Sequence, residues 1–169
     1  MTDQMDLIVE LVAANGGEIV GKTRLQKTVY LLDACGLDSG FEFEYHNYGP
    51  FSSDLAFETD ASVATGLLKP EERRGFHEVP YVVYRTDAKP PTRIGALDAR
   101  VVLEKLGALQ GYSAIVLELA ATIQYFRDLG DRDKINDRVQ QLKPLKATPE
   151  RLQKAWNLLD ALGLKGEHA

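Results

Sequence analysis

The chain has 169 residues, 44% of them apolar, one cysteine and a formal net charge of −5. That length buries a sizeable core without disulfides or metal, and the lone Cys35 excludes a disulfide framework and a thiolate zinc site. The charge is uneven: residues 1–90 hold 15 acidic and 8 basic side chains, a balance of −7, and residues 91–169 hold 10 and 12, a balance of +2. An acidic N-terminal half argues against a protein whose affinity rests on nucleic-acid phosphates.

Residues 3–14, DQMDLIVELVAA, place Leu7, Ile8, Leu11 and Val12 on one helical face, and Asn15-Gly16-Gly17 ends that helix. Glu18-Ile19-Val20 reads as a short strand. A second helix, GKTRLQKTVYLLDACG, buries Leu25, Val29 and Leu32 and stops at Gly36. FEFEYHNY then alternates, with Phe41, Phe43 and Tyr45 to one side and Glu42, Glu44 and His46 to the other, which is a strand signature. Gly49-Pro50 breaks it, and Pro50 is expected to open the next helix, because proline suits a first helical turn. That helix, FSSDLAFETDASVATG, carries Ser52, Ser53 and Asp54 near its N-terminus and closes at Gly66.

Short strands are expected over residues 67–69 and 81–85, joined by a charged turn. Helix, strand, helix, helix and hairpin is the order of a winged helix-turn-helix, here with an extra strand between its second and third helices. After a linker, DAKPPTR, helices are expected near residues 97–109 and 113–129, the second with Ile115, Leu119, Ile123 and Phe126 in register. Ile135, Val139 and Leu142 mark another. The last starts with Thr148 as N-cap and Pro149 in the first turn, runs through Leu152, Ala155, Leu159 and Leu162, and ends at Gly163.

The predicted fold is therefore mainly α with a small antiparallel β component. Residues 1–90 form a winged helix-turn-helix-like domain, and residues 91–169 form a helical extension expected to pack on it or to mediate dimerisation. No segment reaches membrane-spanning length and no basic leader precedes the first apolar run, so a cytoplasmic location is expected.

GGEIVGKT, residues 16–23, satisfies the phosphate-binding pattern G-x-x-x-x-G-K-[ST]. A working loop of that kind follows a buried strand, whereas the preceding segment is helical and charged at Asp6 and Glu10. Glu18 would set an anion among phosphates, and Ile19 and Val20 resist the positive backbone angles such loops use. The match is read as coincidence. Glu44 and His46 share a strand face, but no nucleophile or metal set accompanies them, so they read as an exposed polar face. His77 and His168 read as solvated, Cys35 as a small buried residue, and Trp156 as packing between helices. No catalytic residue, cofactor or metal is expected.

For DNA binding, the helix before the wing is the element that usually enters the major groove. Here it carries Asp54, Glu58 and Asp60 and no Lys or Arg. The basic residues near it are Lys22, Arg24 and Lys27 on the second helix and Arg73 and Arg74 in the hairpin. Nucleic acid therefore ranks behind protein as a partner.

Two stretches, KTRLQKTVYLLDACGL and FEYHNYGPFSSDL, together resemble the Panacea-domain proteins, which include SocA-like antitoxins, and most closely their uncharacterised YwgA-like relatives. Leu25, Gln26, Lys27 and Tyr30 match a helix motif of that family, and Tyr48, Gly49 and Pro50 match the end of its aromatic strand. The resemblance covers roughly the first half of the chain. It implies a largely helical domain and, for the antitoxin members, neutralisation of a partner protein by direct binding. From the residues themselves, Tyr30, Tyr45, Tyr48 and Phe51 are aromatics beside a Gly-Pro turn, suited to an interface or to stapling the strand onto the second and third helices. The expected function is a non-enzymatic, antitoxin-like regulatory module that binds a protein, a basic toxin among the candidates. A DNA-binding regulator is the alternative, and a small hydrolase ranks third.

Overall fold

The computed structural model describes residues 3–164. Helix α1 (Asp3–Ala14) turns Leu7, Ile8, Leu11 and Val12 inward. It ends where the Gly17 amide returns to the Val12 carbonyl, with Gly16 at φ 78° and Gly17 at φ 88°. A side chain at Gly17 would also meet the Thr86 carbonyl at 3.2 Å, so glycine is required twice over there. The chain continues as β1 (Glu18–Val20) and turns into α2 (Lys22–Ala34). The phosphate-loop lookalike is thus the end of one helix, an edge strand, and the start of the next.

Every residue of α2 from Leu25 to Leu32 is buried, so this helix is a central post rather than a surface element. Beyond it, Leu37 and Phe41 are buried in irregular backbone tied to Asp33, which accepts from the Ser39 amide and hydroxyl. A hairpin follows, β2 (Glu44–His46) against β3 (Gly49–Phe51), with Tyr45 opposite Pro50. The expected alternation of sides holds: Phe41 is buried, Phe43 and Tyr45 half-buried, and Glu42, Glu44 and His46 exposed. Only Glu44–His46 pairs as strand, however, because only that part meets a partner.

Pro50 does not open a helix. It lies in β3, and α3 (Ser53–Ala64) begins three residues later, where the Ser52 hydroxyl accepts from the Leu55 amide. The strands after α3 also differ from expectation. β4 (Lys69–Arg74) is itself the charged stretch, β5 (Pro80–Arg85) is its partner, and the turn is Gly75–Val79. Extending past the core, β4 has no apolar alternation to betray it.

These strands form an antiparallel sheet in the order β1-β5-β4. A two-residue pair, β6 (Arg93–Ile94) with β7 (Leu97–Asp98), then leads into α4 (Ala99–Gln110), α5 (Ala114–Asp128), α6 (Ile135–Leu142) and α7 (Pro149–Ala161). Asp98, Ser113 and Thr148 cap α4, α5 and α7 by accepting from the amides of Arg100, Val116 and Arg151. Leu142 on α6 is exposed, while Ile135 and Val139 are buried.

One apolar core runs through both halves of the chain, from Ile8, Leu25 and Leu32 to Leu117, Ile123, Trp156 and Leu159. Helix α5 occupies its middle and packs on α2, α6, α7 and β3. Each fully buried Leu, Ile or Val there stabilises by roughly 1.5–3 kcal/mol. Trp156 is buried between helices, with its indole N–H donating to Asn136 at 2.8 Å. The described part is a mixed α/β protein, predominantly helical, and none of its single helices is long and apolar enough to cross a membrane.

Candidate interaction surface

Three residues of α2 reach the β2–β3 hairpin or the helix behind it. The Gln26 amide donates to the Ser52 carbonyl and accepts from the Ser52 amide, both at 2.9 Å. Lys27 Nζ donates to the Pro50 carbonyl at 2.6 Å. Tyr30, one helical turn past Gln26, donates to Asp128 on α5 at 2.5 Å. Phe43 meets its ring edge-on, and Tyr125 lies beyond, tilted against Tyr45, which stacks on Phe126. Burial and the Asp128 carboxylate push the Tyr30 hydroxyl well above its usual pKa, so it is a permanent donor.

Gly49 completes the clamp. Its φ is 89°, and a Cβ there would lie 2.7 Å from the Thr122 hydroxyl on α5. Only glycine lets the hairpin lie this close. Leu25-Gln26-Lys27, Tyr30 and Tyr48-Gly49-Pro50 therefore belong to one construction that seats the hairpin and, through Ser52, fixes where α3 begins. The aromatic rings staple the hairpin to α2 and α5, not to α3.

Beneath the hairpin lies a charge cluster. Glu118 on α5, 3% exposed, binds Lys143 Nζ at 3.0 Å and Lys146 Nζ at 2.9 Å. Lys143, 5% exposed, also donates to the Asn47 carbonyl at 3.0 Å, and its ammonium faces the Tyr45 ring. Lys146 sits 4.6 Å from the centre of the Tyr48 ring. Lys27 is 1% exposed, and burial outweighs the pull of Glu118, lowering its pKa to about 8. Lys27 and Lys143 hold the hairpin by its Pro50 and Asn47 carbonyls, and Lys146 meets it through the Tyr48 ring.

The expected basic patch on α2 is consequently dismantled. Lys27 is interior; Arg24 caps α4, donating to the carbonyls of Leu109 and Tyr112; Lys22 pairs with Asp60 at 3.1 Å. In the sheet, Arg73 is held by Glu18 and Glu71, whose hydrogen bonds raise its already high pKa. His46 packs its ring on Phe51 and stands 3.9 Å from Glu44, and both are exposed. Cys35 is half-buried and free; burial raises its pKa, so it is no ready thiolate. Among the described residues no group of His, Cys, Asp and Glu is placed to hold a metal ion. His77 is in the hairpin turn at φ 58°, and His168 lies outside the described residues.

What faces solvent is different in kind. On α3, Asp54, Phe57 and Asp60 follow at three-residue spacing along one exposed face, with Phe57 69% exposed. Tyr48, 60% exposed, stands on the hairpin above Lys146. Asp54 and Tyr48 are legible in the sequence, whereas Phe57, Glu118, Asp128, Lys143 and Lys146 fall outside its motifs. A signal existed for Glu118: it is the only charged residue in the run AIVLELAATIQYF, and a carboxylate in such a helix needs a buried partner.

No family model matches the chain. It is similar to the uncharacterised protein YwgA of Bacillus subtilis (strain 168), 27% identical over 133 residues that cover 73% of this chain and 75% of the relative.

Proposed function

We propose that the chain is a non-enzymatic protein-binding module with antitoxin-like regulatory action, built on a winged-helix-like scaffold, whose α3 face docks a basic partner protein. The element order and the β1-β5-β4 sheet, with its hairpin following the third helix, support the scaffold reading. The motif shared with Panacea-domain antitoxins supports the regulatory one.

The observation that carries the proposal is Phe57, a large aromatic 69% exposed between the exposed Asp54 and Asp60. An aromatic anchor inside a charged rim is the anatomy of a protein-binding hot spot. The same helix is unfit for DNA, since its carboxylates would face phosphates. Of the cations that a DNA-binding mode would recruit, Lys27 is buried on the Pro50 carbonyl and Arg73 is paired with Glu18 and Glu71.

The test is affinity purification from the native host with wild type and Phe57→Ala, washed at low and high salt. A basic protein retained by wild type, weakened by salt and lost with Phe57→Ala is the expected result. Retention indifferent to both changes, or DNA retarded at physiological salt, contradicts it.

A further inference from the structure

Strand β1 forms one margin of its sheet, and no strand pairs its outer edge, where the Asn15 side chain, itself held by Gln110, takes one carbonyl. Thr86 donates its amide to the Gly17 carbonyl at 2.9 Å, and Ile19 stands opposite Tyr84 in the same register. Hydrogen-bonding direction alternates along a strand, so Gly17 and Ile19 point their amides and carbonyls at β5, while Glu18 and Val20 point theirs away. The Glu18 carbonyl confirms the direction, because it accepts from the Asn15 side chain at 2.8 Å on that outer side. Among the described residues, no partner takes the Glu18 amide or either main-chain group of Val20.

This edge faces a groove of about 550 Å³, lined by Asn15, Glu18, Val20, Arg24, Gln110 and Ala114. The volume suits a few extended residues. Val20 offers an apolar side chain, 45% exposed. Arg24 supplies charge: its guanidinium is pinned by the Leu109 and Tyr112 carbonyls, yet no described carboxylate pairs with it. Burial alone lowers its pKa, with no neighbouring anion to offset the effect. Glu18, the groove's own carboxylate, is turned to Arg73 in a two-bonded pair. The groove thus presents main-chain donors, an apolar contact and an unneutralised, immobilised cation.

We propose that the open edge of β1 takes up an extended peptide segment of a partner protein as an added strand, with Arg24 pairing an acidic side chain of that segment. Main-chain bonding supplies affinity, and the arginine and Val20 supply selectivity. No α3 residue lines the groove, and the site stands or falls independently of the α3 reading.

The test selects peptides from a random dodecapeptide phage library on the immobilised full-length chain, then measures the winners as synthetic peptides. Enriched sequences should share an acidic residue at fixed spacing from a β-branched one, and should shift the amide resonances of Glu18, Val20 and Arg24. Val20→Pro removes an outward N–H that the sheet does not use, so it should fold. It should weaken binding roughly tenfold or more, as should Arg24→Gln. N-methylation of alternate peptide amides should abolish binding without altering the protein at all. No enrichment over blank support, or winners that bind Val20→Pro and N-methylated forms equally well, would overturn the proposal.

Discussion

Glu118→Gln is the sharpest perturbation of the hairpin clamp. The substitution keeps the side chain's shape but removes the one carboxylate that neutralises Lys143 and Lys146, at 3.0 and 2.9 Å. Lys143 is then left buried with the Asn47 carbonyl and the Tyr45 ring for company, and Lys27, already held without a carboxylate in contact, loses the anion that attracts it. Breaking a buried ion pair from one side costs about 3–5 kcal/mol. Domains are stable by only about 5–15 kcal/mol in total. For a chain of this size each kcal/mol lowers the melting temperature by about 2–4 °C, so a fall of roughly 10 °C is expected. A thermal scan measures that fall, and urea unfolding followed by far-ultraviolet circular dichroism and by the fluorescence of Trp156, the chain's one tryptophan, measures the free-energy loss. The denaturant slope should stay constant. Adding Lys143→Met should recover part of the loss, since the stranded cation is gone. A cost below about 1 kcal/mol, or strict additivity of the two changes, would refute the clamp as the load on this carboxylate.

Lys27→Met tests the other pole. A lysine whose folded pKa is about 8 against 10.5 unfolded carries its full penalty below pH 8 and sheds it as pH rises toward 10.5. That is about 3 kcal/mol by linkage, offset at neutral pH by a lost bond to Pro50 worth about 1–3 kcal/mol. The variant should match wild type within about 1 kcal/mol at pH 7 and fall behind by about 2 kcal/mol near pH 10, read by urea titration at both pH values; a gap that does not widen with pH contradicts this. Gly49→Ala should cost at least about 1–2 kcal/mol from its positive φ alone, more from the Thr122 contact, and Thr122→Ala should restore only the second part. Tyr30→Phe should cost about 1–3 kcal/mol by taking the hydroxyl donor from Asp128, with Gln124 still bound to that carboxylate at 2.8 Å.

Several elements were legible because their signals are local. The ends of α1 and α7 follow from Gly16-Gly17 and from Thr148-Pro149, and the sides of Phe41, Phe43 and Tyr45 follow from period-two alternation. Pro50 misled because proline fits a first helical turn as well as a short hairpin strand, and the choice was made by Lys27 reaching its carbonyl from α2. Strand β4, KPEERR, pairs with β5 and is tied to β1 through Arg73 and Glu18, so its signal is charge rather than apolar alternation. Lys27 looked like a surface cation since its partners, Pro50 and the Glu118 cluster, are remote in sequence. The motif residues were found, but their work is to fix the hairpin and the start of α3, and the exposed Phe57 beyond them lay outside any motif.

The docking role of α3 is tested most directly by site-specific photocrosslinking in the native host, with a benzophenone amino acid in place of Phe57 and, as control, at Arg100, an exposed residue on α4. A single basic protein captured from position 57 and absent from position 100 is the predicted outcome. Capture of nucleic acid at position 57, or the same set of proteins at both positions, would contradict it.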